Sequence, residues 1–257
     1  MMKISTITTL IWLAATALCH AQDEARDRSL LERLSCGIAF GVSVPSGNGG
    51  TAPGDPIYLF DNATVRGVFA VTASYWLTSH LALDLTLEVP VEDTRETALG
   101  IQRERIERAY PDYLLEAHQM ITQPSFLLPS LGLSYSFRFG AMSVEPGLLA
   151  CYSVVEPADL SIQLKRKGAN DYRSIIHQSS GGGAFALVPA LICRYTFEEG
   201  NYRYGLYLRT AYFSASPDTP YSTSDESLGA PPRTTSYTTH HSFQAVHIAL
   251  GIHCSLL

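Results

Sequence analysis

The chain has 257 residues, enough for one or two domains or for a single large all-β domain. Hydrophobic residues make up 46% and charged residues only 16%, below the roughly 25% charged that is usual for soluble domains. A formal charge of -6 and a pI near 5.7 argue against nucleic acid as a main partner.

Residues 1–21 read as a secretory signal peptide. Lys3 supplies a short basic start, Ile4 to Leu18 form an apolar core too short to span a bilayer comfortably, and Cys19 and Ala21 are small residues at the -3 and -1 positions before Gln22. Cleavage is expected after Ala21. Residues 22–34, rich in charge, are expected to form a periplasmic lead-in, and residues 35–257 the folded domain. No later segment has the run of about 20 apolar residues that a spanning helix requires.

From Cys36 onward the chain alternates. Cys36, Ile38, Phe40, Val42 and Val44 share one face of the first strand, and residues 45–63 follow as a loop rich in Gly, Pro, Asn and Asp. Phe69, Val71, Ala73 and Tyr75 mark the second strand, with Arg66, Val68, Ala70, Thr72, Ser74 and Trp76 on its other face. A turn near Thr78 and Ser79 leads to the third, where Leu81, Leu83, Leu85, Leu87, Val89 and Val91 alternate with Ala82, Asp84, Thr86 and Glu88. Residues 92–123 read as a long polar loop, with a helix around Leu99 to Leu115 and a solvated loop as equal alternatives.

The fourth strand places Leu127, Leu131, Leu133, Tyr135 and Phe137 outward. A turn at Phe139-Gly140-Ala141 feeds the fifth, with Met142, Val144, Leu148, Tyr152 and Val154 outward and Ser143, Glu145, Gly147, Leu149 and Cys151 inward. Residues 156–183 form a third loop. The sixth and seventh strands make a hairpin over Ala184 to Tyr212, turning at Glu198-Glu199-Gly200-Asn201. Residues 214–240, dense in Ser, Thr and Pro, form a fourth loop before the eighth strand, with Val246, Ile248, Leu250, Ile252 and Cys254 outward. Pro129, Pro146 and Pro189 cannot donate to a ladder, so bulges are expected near them.

A soluble β-protein also alternates, so the choice rests on what the two faces carry. The non-apolar positions are mostly Gly, Ala, Ser and Thr, which suit the crowded interior of an eight-stranded barrel and not a solvated surface. Tyr75, Tyr135, Phe137, Tyr195, Phe197, Tyr202 and Tyr204 gather where apolar faces meet the short turns, as in an interfacial girdle. The segment that directs export leaves no spanning helix behind. The expected fold is all-β: an eight-stranded antiparallel up-and-down transmembrane β-barrel with long extracellular loops and short periplasmic turns.

The signal peptide, FLLPSLGLSYSF with its mid-strand proline, VEPGLLACY, and the glycine-bearing HIALGIHCSLL together resemble the small outer-membrane β-barrel domains of Gram-negative bacteria. The PorT-like group and the OmpA- and OmpX-like eight-stranded barrels are the members in view, and the likeness runs from about residue 35 to the end. The resemblance implies residence in the cell outer membrane, with its lipids and the barrel insertion machinery as partners. Leu256-Leu257 stand where such barrels end on an aromatic.

Within the lumen, counting from the turns predicts a Glu145–Arg194–Arg203 cluster and places Arg66 within a diagonal step of Glu88. A charge network that plugs the lumen and a narrow proton or ion path are the two readings of these residues. Cys36 and Cys254 face outward on the strands that must close the barrel, as a disulfide or as two small lipid-facing residues. Three functions compete. The first is a structural or surface-interaction protein whose loops meet an extracellular partner. The second is a narrow channel. The third is a lipid-modifying enzyme: His240 and Ser242 resemble the His-x-Ser arrangement of lipid A deacylase barrels, with Glu226 or Asp225 as the carboxylate that orients the histidine. No phosphate-loop, zinc-ligand or nucleotide motif is present, and no cofactor or metal is expected; His240 and His241, adjacent on a strand, point apart.

Overall fold

A computed structural model describes residues 32–46, 65–91, 103–104, 106–121, 125–156, 159–200, 202–227, 231–240 and 243–256. The signal peptide, the lead-in before Glu32 and the first long loop therefore lie outside the described residues. The strands are β1 (Leu34–Pro45), β2 (Arg66–Trp76), β3 (Leu81–Val91), β4 (Tyr113–Met120), β5 (Ser125–Tyr135), β6 (Phe137–Phe139) and β7 (Met142–Glu156). They continue as β8 (Leu160–Arg166), β9 (Tyr172–Ser179), β10 (Gly182–Glu199), β11 (Tyr202–Ala215), β12 (Asp218–Ser227), β13 (Arg233–His240) and β14 (Phe243–Leu256).

Eight of them close a ring. The hydrogen-bonded path β1-β2-β3-β5-β7-β10-β11-β14 returns to β1, and every pairing in it is antiparallel. A closed ring has no edge strand, so no backbone row is left to pair with another chain. The alternation read in the sequence sorts as a barrel requires. Ala39, Ala70, Thr72, Thr86, Ser130 and Ala249 are buried in the lumen. On the outside Phe40 stays 65% exposed, Leu187 66% and Leu250 61%, on three different strands of the ring.

The interior is narrow enough that glycine is required where one aromatic crosses it. Tyr207 reaches from β11 past β14 and β1 to share a 3.3 Å hydrogen bond with Thr72 on β2. A Cβ at Gly37 would lie 2.9 Å from Tyr207 Cε1, and one at Gly251 2.7 Å from the same atom.

The turns at one end are short. Thr78 Oγ1 accepts from the backbone nitrogens of His80 (3.2 Å) and Leu81 (2.9 Å), fixing the β2–β3 turn. Gly140 and Gly200 occupy the left-handed region at φ 63° and 62° in the other two. The hairpin turn is tighter than the sequence suggested: Glu199 pairs with Tyr202, so Glu198 and Glu199 belong to the strand. The expected bulges at the prolines are absent, since Pro129, Pro146 and Pro189 sit in continuous registers opposite Leu87, Leu191 and Leu148. Each residue of an antiparallel ladder directs its N–H toward one neighbour only, so a proline forfeits a single bond and the pairing on its other side survives.

The opposite end departs furthest from expectation. Residues 156–183 and 214–240, read as loops, carry β8, β9, β12 and β13, and residues 92–123 carry β4 with a helical stretch at 106–109. They form one sheet in the order β4-β8-β9-β12-β13, joined to the barrel where Gly183 of β10 pairs with Asp218 of β12. Its core is Ile106, Leu160, Ile162, Leu164, Ile175 and Tyr221, flanked by Tyr110, Tyr113 and Leu115. Alternation of Leu160, Ile162 and Leu164 with Ser161, Gln163 and Lys165 is a strand pattern. The Thr-rich RTTSYTTH of β13 also favours a strand, because threonine is β-branched although polar. Composition suggested loop; branching and period decided otherwise.

Candidate functional site

The lumen is built in layers, starting from a vestibule of about 370 Å³ at the turn end, lined by Trp76, Arg138, Glu145, Arg194, Arg203 and His253 among others. Arg138 stacks its guanidinium 5.3 Å from the Trp76 ring centre. At the floor of the vestibule Arg194 Nε donates to Glu145 Oε2 at 2.7 Å, and Ser143 Oγ donates to the other carboxylate oxygen at 2.7 Å. Arg194 Nη2 also donates to Ser74 Oγ at 3.3 Å. Ser74 lies on β2, four strands from β10 around the ring, so this bond spans the lumen.

Glu145 and Arg194 are thus in contact, as neighbouring strands β7 and β10 allow, but Arg203 is not part of that cluster. The tight turn sets Arg203 opposite Glu198, and both its Nε (3.0 Å) and Nη2 (2.6 Å) donate to Glu198 Oε1 at the rim. The expected proximity of two bare arginines does not arise.

Further in, Glu88 of β3 is fully buried and bridges two partners: Arg209 Nη1 donates to Oε1, and His247 Nδ1 lies 2.5 Å from Oε2. Arg209 lies on β11, again four strands around the ring from β3. Arg66 is not the partner. The β2–β3 register sets Ala70 opposite Glu88 and Gly67 opposite Val91, which leaves Arg66 four positions along the strand, roughly 13 Å. Between the two ionic layers lies a cavity of about 10 Å³, lined by Asp84, Thr86, Ser134 and Arg209 among others. That volume is about one water. Toward the loop end the lumen then fills with Phe126, Leu128, Leu149, Val188, Phe213 and Phe243, and Phe213 lies 4.3 Å from the His247 ring.

On the loop-end sheet, Arg173 forms a two-pronged ion pair with Asp225: Nε to Oδ1 at 2.9 Å and Nη2 to Oδ2 at 2.5 Å. The guanidinium also lies over the Tyr110 and Tyr113 rings at 5.3 and 6.0 Å. The hydrogen bond from Arg173 holds the Asp225 carboxyl below its usual range and keeps the guanidinium firmly charged. A hollow of about 520 Å³ lies beside this pair, lined by Gln163, Tyr172, Arg173, Ser174, Glu226, Ser227 and Pro232.

This geometry removes the proposed carboxylate of the esterase reading. His240 is in register with Asp218, whereas Asp225 is in register with Arg233, seven positions along the hairpin, or about 23 Å. Asp225 is committed to Arg173 in any case, and Glu226 is one position further away. Ser242 lies outside the described residues. No group of three His, Cys, Asp or Glu among the described residues is placed to hold a metal.

Cys36 and Cys254 face each other directly across the β1–β14 seam, and both are free thiols. Cys151 is buried in the lumen, and Cys193 pairs with Val144 and Leu208.

The Arg209 and His247 contacts with Glu88 had no sequence signal at the level of neighbouring strands. They become findable only when inward residues are compared across the closed ring.

No family model matches the chain, and no curated protein matches it. Among solved structures it is similar to the outer membrane protein AlkL, determined by solid-state NMR in DMPC bilayers, at 12% identity over 87% of this chain and 89% of that one, with a TM-score of 0.41. It is similar also to a major outer membrane protein from Thermus thermophilus, at 11% identity over 87% of this chain and 99% of that one, with a TM-score of 0.37. At these scores the likeness adds nothing to the ladder geometry already described.

Proposed function

We propose that this chain is an integral outer-membrane protein whose plugged barrel serves as an anchor and whose loop-end sheet acts at the cell surface, as a structural or partner-binding element. The observation that carries the reading is the exposed apolar belt around an edgeless ring. Isoleucines, leucines and phenylalanines project outward around the ring, and water would penalise that area by about 25 cal/mol per Å². Lipid removes the penalty. A closed barrel is also one of the two architectures that satisfy all backbone groups in hydrocarbon. Tyr135, Phe137, Tyr195, Phe197, Tyr202 and Tyr204 are exposed at the turn end, with ring pairs about 5 Å apart, and supply the interfacial girdle. The turns then face the periplasm and the five-stranded sheet faces outward.

Membrane fractionation combined with gel mobility before and after boiling tests the anchor: the protein should sediment with outer membranes and migrate differently once boiled. A soluble chain with no mobility shift would overturn it. In planar bilayers the purified protein should give no steady current, and stable open-channel currents would overturn the plugged lumen. The surface role predicts that residues of the 520 Å³ hollow, Tyr172 above all, affect binding of an extracellular partner without affecting insertion. A partner retained unchanged by Tyr172→Ala and Gln163→Ala would place the contact elsewhere.

A further inference from the structure

We propose that Cys36 and Cys254 form a disulfide that covalently joins the first and last barrel strands, making the closing seam a modification site. The pair is the second from the end of the β1–β14 ladder, after Ser35 and Ser255, and both side chains share the outward parity of Ile38 and Ile252. Directly opposite residues in an antiparallel pair hold their Cα atoms about 4.5 or 5.5 Å apart, and both spacings fall inside the roughly 4.4–6.8 Å that a disulfide accepts. The register alone therefore brings the two Cα atoms within bridging range.

The chemistry is selective among the described thiols. Cys151 is buried in the lumen opposite Ser130 and Ala186, and Cys193 has only Val144 and Leu208 opposite it. Cys254 is exposed, while Cys36 is half-buried beside it. The exposed Cys254 thiolate therefore attacks an external disulfide R–S–S–R, forming a mixed disulfide and releasing one R–S⁻. The Cys36 thiolate then attacks the Cys254 sulfur and expels the second R–S⁻. Two S–H bonds become one S–S bond, two electrons reduce the external disulfide, and the two protons end on two R–SH. The oxidant belongs to an oxidising compartment, so this step rests on the exported location proposed above, although the geometry does not.

The structural consequence is specific to a barrel. Every other neighbouring pair of barrel strands is consecutive within the ring's chain order, whereas the β1–β14 seam alone joins the two ends of the barrel sequence. A bond there prevents the ring from opening at the one place where no chain connection limits the separation.

The test uses the folded full chain purified in detergent and treated with oxidised glutathione, then trapped with N-ethylmaleimide, digested without reduction and read by mass spectrometry. The expected product is a peptide pair joined through Cys36 and Cys254 that replaces most of the two alkylated peptides and separates with dithiothreitol. It should vanish in Cys254→Ser and persist in Cys193→Ser. Heat-dependent gel mobility is read on the same sample. A mobility-shifted protein whose Cys36 and Cys254 are both alkylated, or each capped by glutathione, would overturn the disulfide and leave the barrel standing. A protein without the shift would overturn both, because the seam exists only in the closed ring.

Discussion

Replacing Glu88 by glutamine isolates the charge at the centre of the lumen. The substitution keeps the side-chain volume, so no cavity penalty enters, and it keeps an oxygen to accept from Arg209. What it removes is the negative charge between two partners, Arg209 and His247, that are themselves 2% and 1% exposed. Breaking a buried pair by neutralising one member costs about 3–5 kcal/mol, because the remaining charge is left in a low-dielectric site. At 1.4 kcal/mol per decade that is roughly 2 to 3.5 orders of magnitude in the unfolding constant. The internal control is Glu198→Gln at the rim, where the carboxylate paired with Arg203 is 58% exposed; a surface pair of that kind is worth about 0–1 kcal/mol. Urea titration of the barrel in detergent micelles, followed by tryptophan and tyrosine fluorescence and by unboiled gel mobility, measures both. The combined change Glu88→Leu with Arg209→Met should recover part of the loss, since it removes the buried carboxylate and guanidinium together and leaves only His247 without its acceptor. The reasoning is refuted if Glu88→Gln costs no more than Glu198→Gln, or if the combined variant is as unstable as the single one.

Two further outcomes are expected. For Glu145 and Arg194, each single change to alanine should destabilise strongly and the double change should cost less than the sum by about 1–3 kcal/mol, whereas Glu198 and Arg203 should add within about 0.5 kcal/mol; thermal melts of the four variants against wild type decide it. Asp225, whose carboxyl Arg173 holds below the usual range, contributes stability above the ordinary aspartate pKa that is lost as pH falls through its lowered value. Melts of the loop-end sheet from pH 7 downward should show wild type losing stability at acid pH, while Asp225→Asn starts about 1 kcal/mol lower and changes less; parallel curves would assign the acid loss to other carboxylates.

The barrel was legible because its two faces meet different surroundings and the side-chain period of a strand is two. Ile38 and Phe40 on one parity and Gly37 and Ala39 on the other fix the first strand without any tertiary information, and the same holds for Leu81 to Val91. Register within hairpins was nearly legible. The error at Arg203 came from assigning Glu198 and Glu199 to the turn, which set Arg203 opposite Thr196 and near Arg194, whereas the tighter turn sets it opposite Glu198. Contacts across the lumen were not legible by the same method. Counting from turns compares hydrogen-bonded neighbours, but Arg209 meets Glu88 and Arg194 meets Ser74 across four strands of the ring. Those meetings depend on how far the strands are staggered when the sheet closes, which no hairpin reveals. The loop-end sheet was missed for a different reason: polar β-branched residues have the composition of a loop and the backbone preference of a strand.

The layering of the interior bears directly on where this protein can act. An ion entering the vestibule meets the Glu145–Arg194 pair, then a space of about 10 Å³, then Glu88 held by Arg209 and His247, and finally a layer of six large apolar side chains. Each ionic layer is held by bonds that run across the lumen, so neither can step aside without releasing the opposite wall. The apolar layer offers no group to replace the hydration of a charge, which makes entry there costly. The same elements that obstruct passage also brace the wall, because Arg209 and Arg194 tie strands that share no backbone hydrogen bonds. Beyond the apolar layer stands the five-stranded sheet, which has its own buried core and a bidentate Arg173–Asp225 pair beside an open hollow. Residues on packed strands present a surface with less conformational entropy to lose on binding than the same residues on free loops would. On the surface role proposed above, recognition therefore falls to the loop-end sheet and not to the bore.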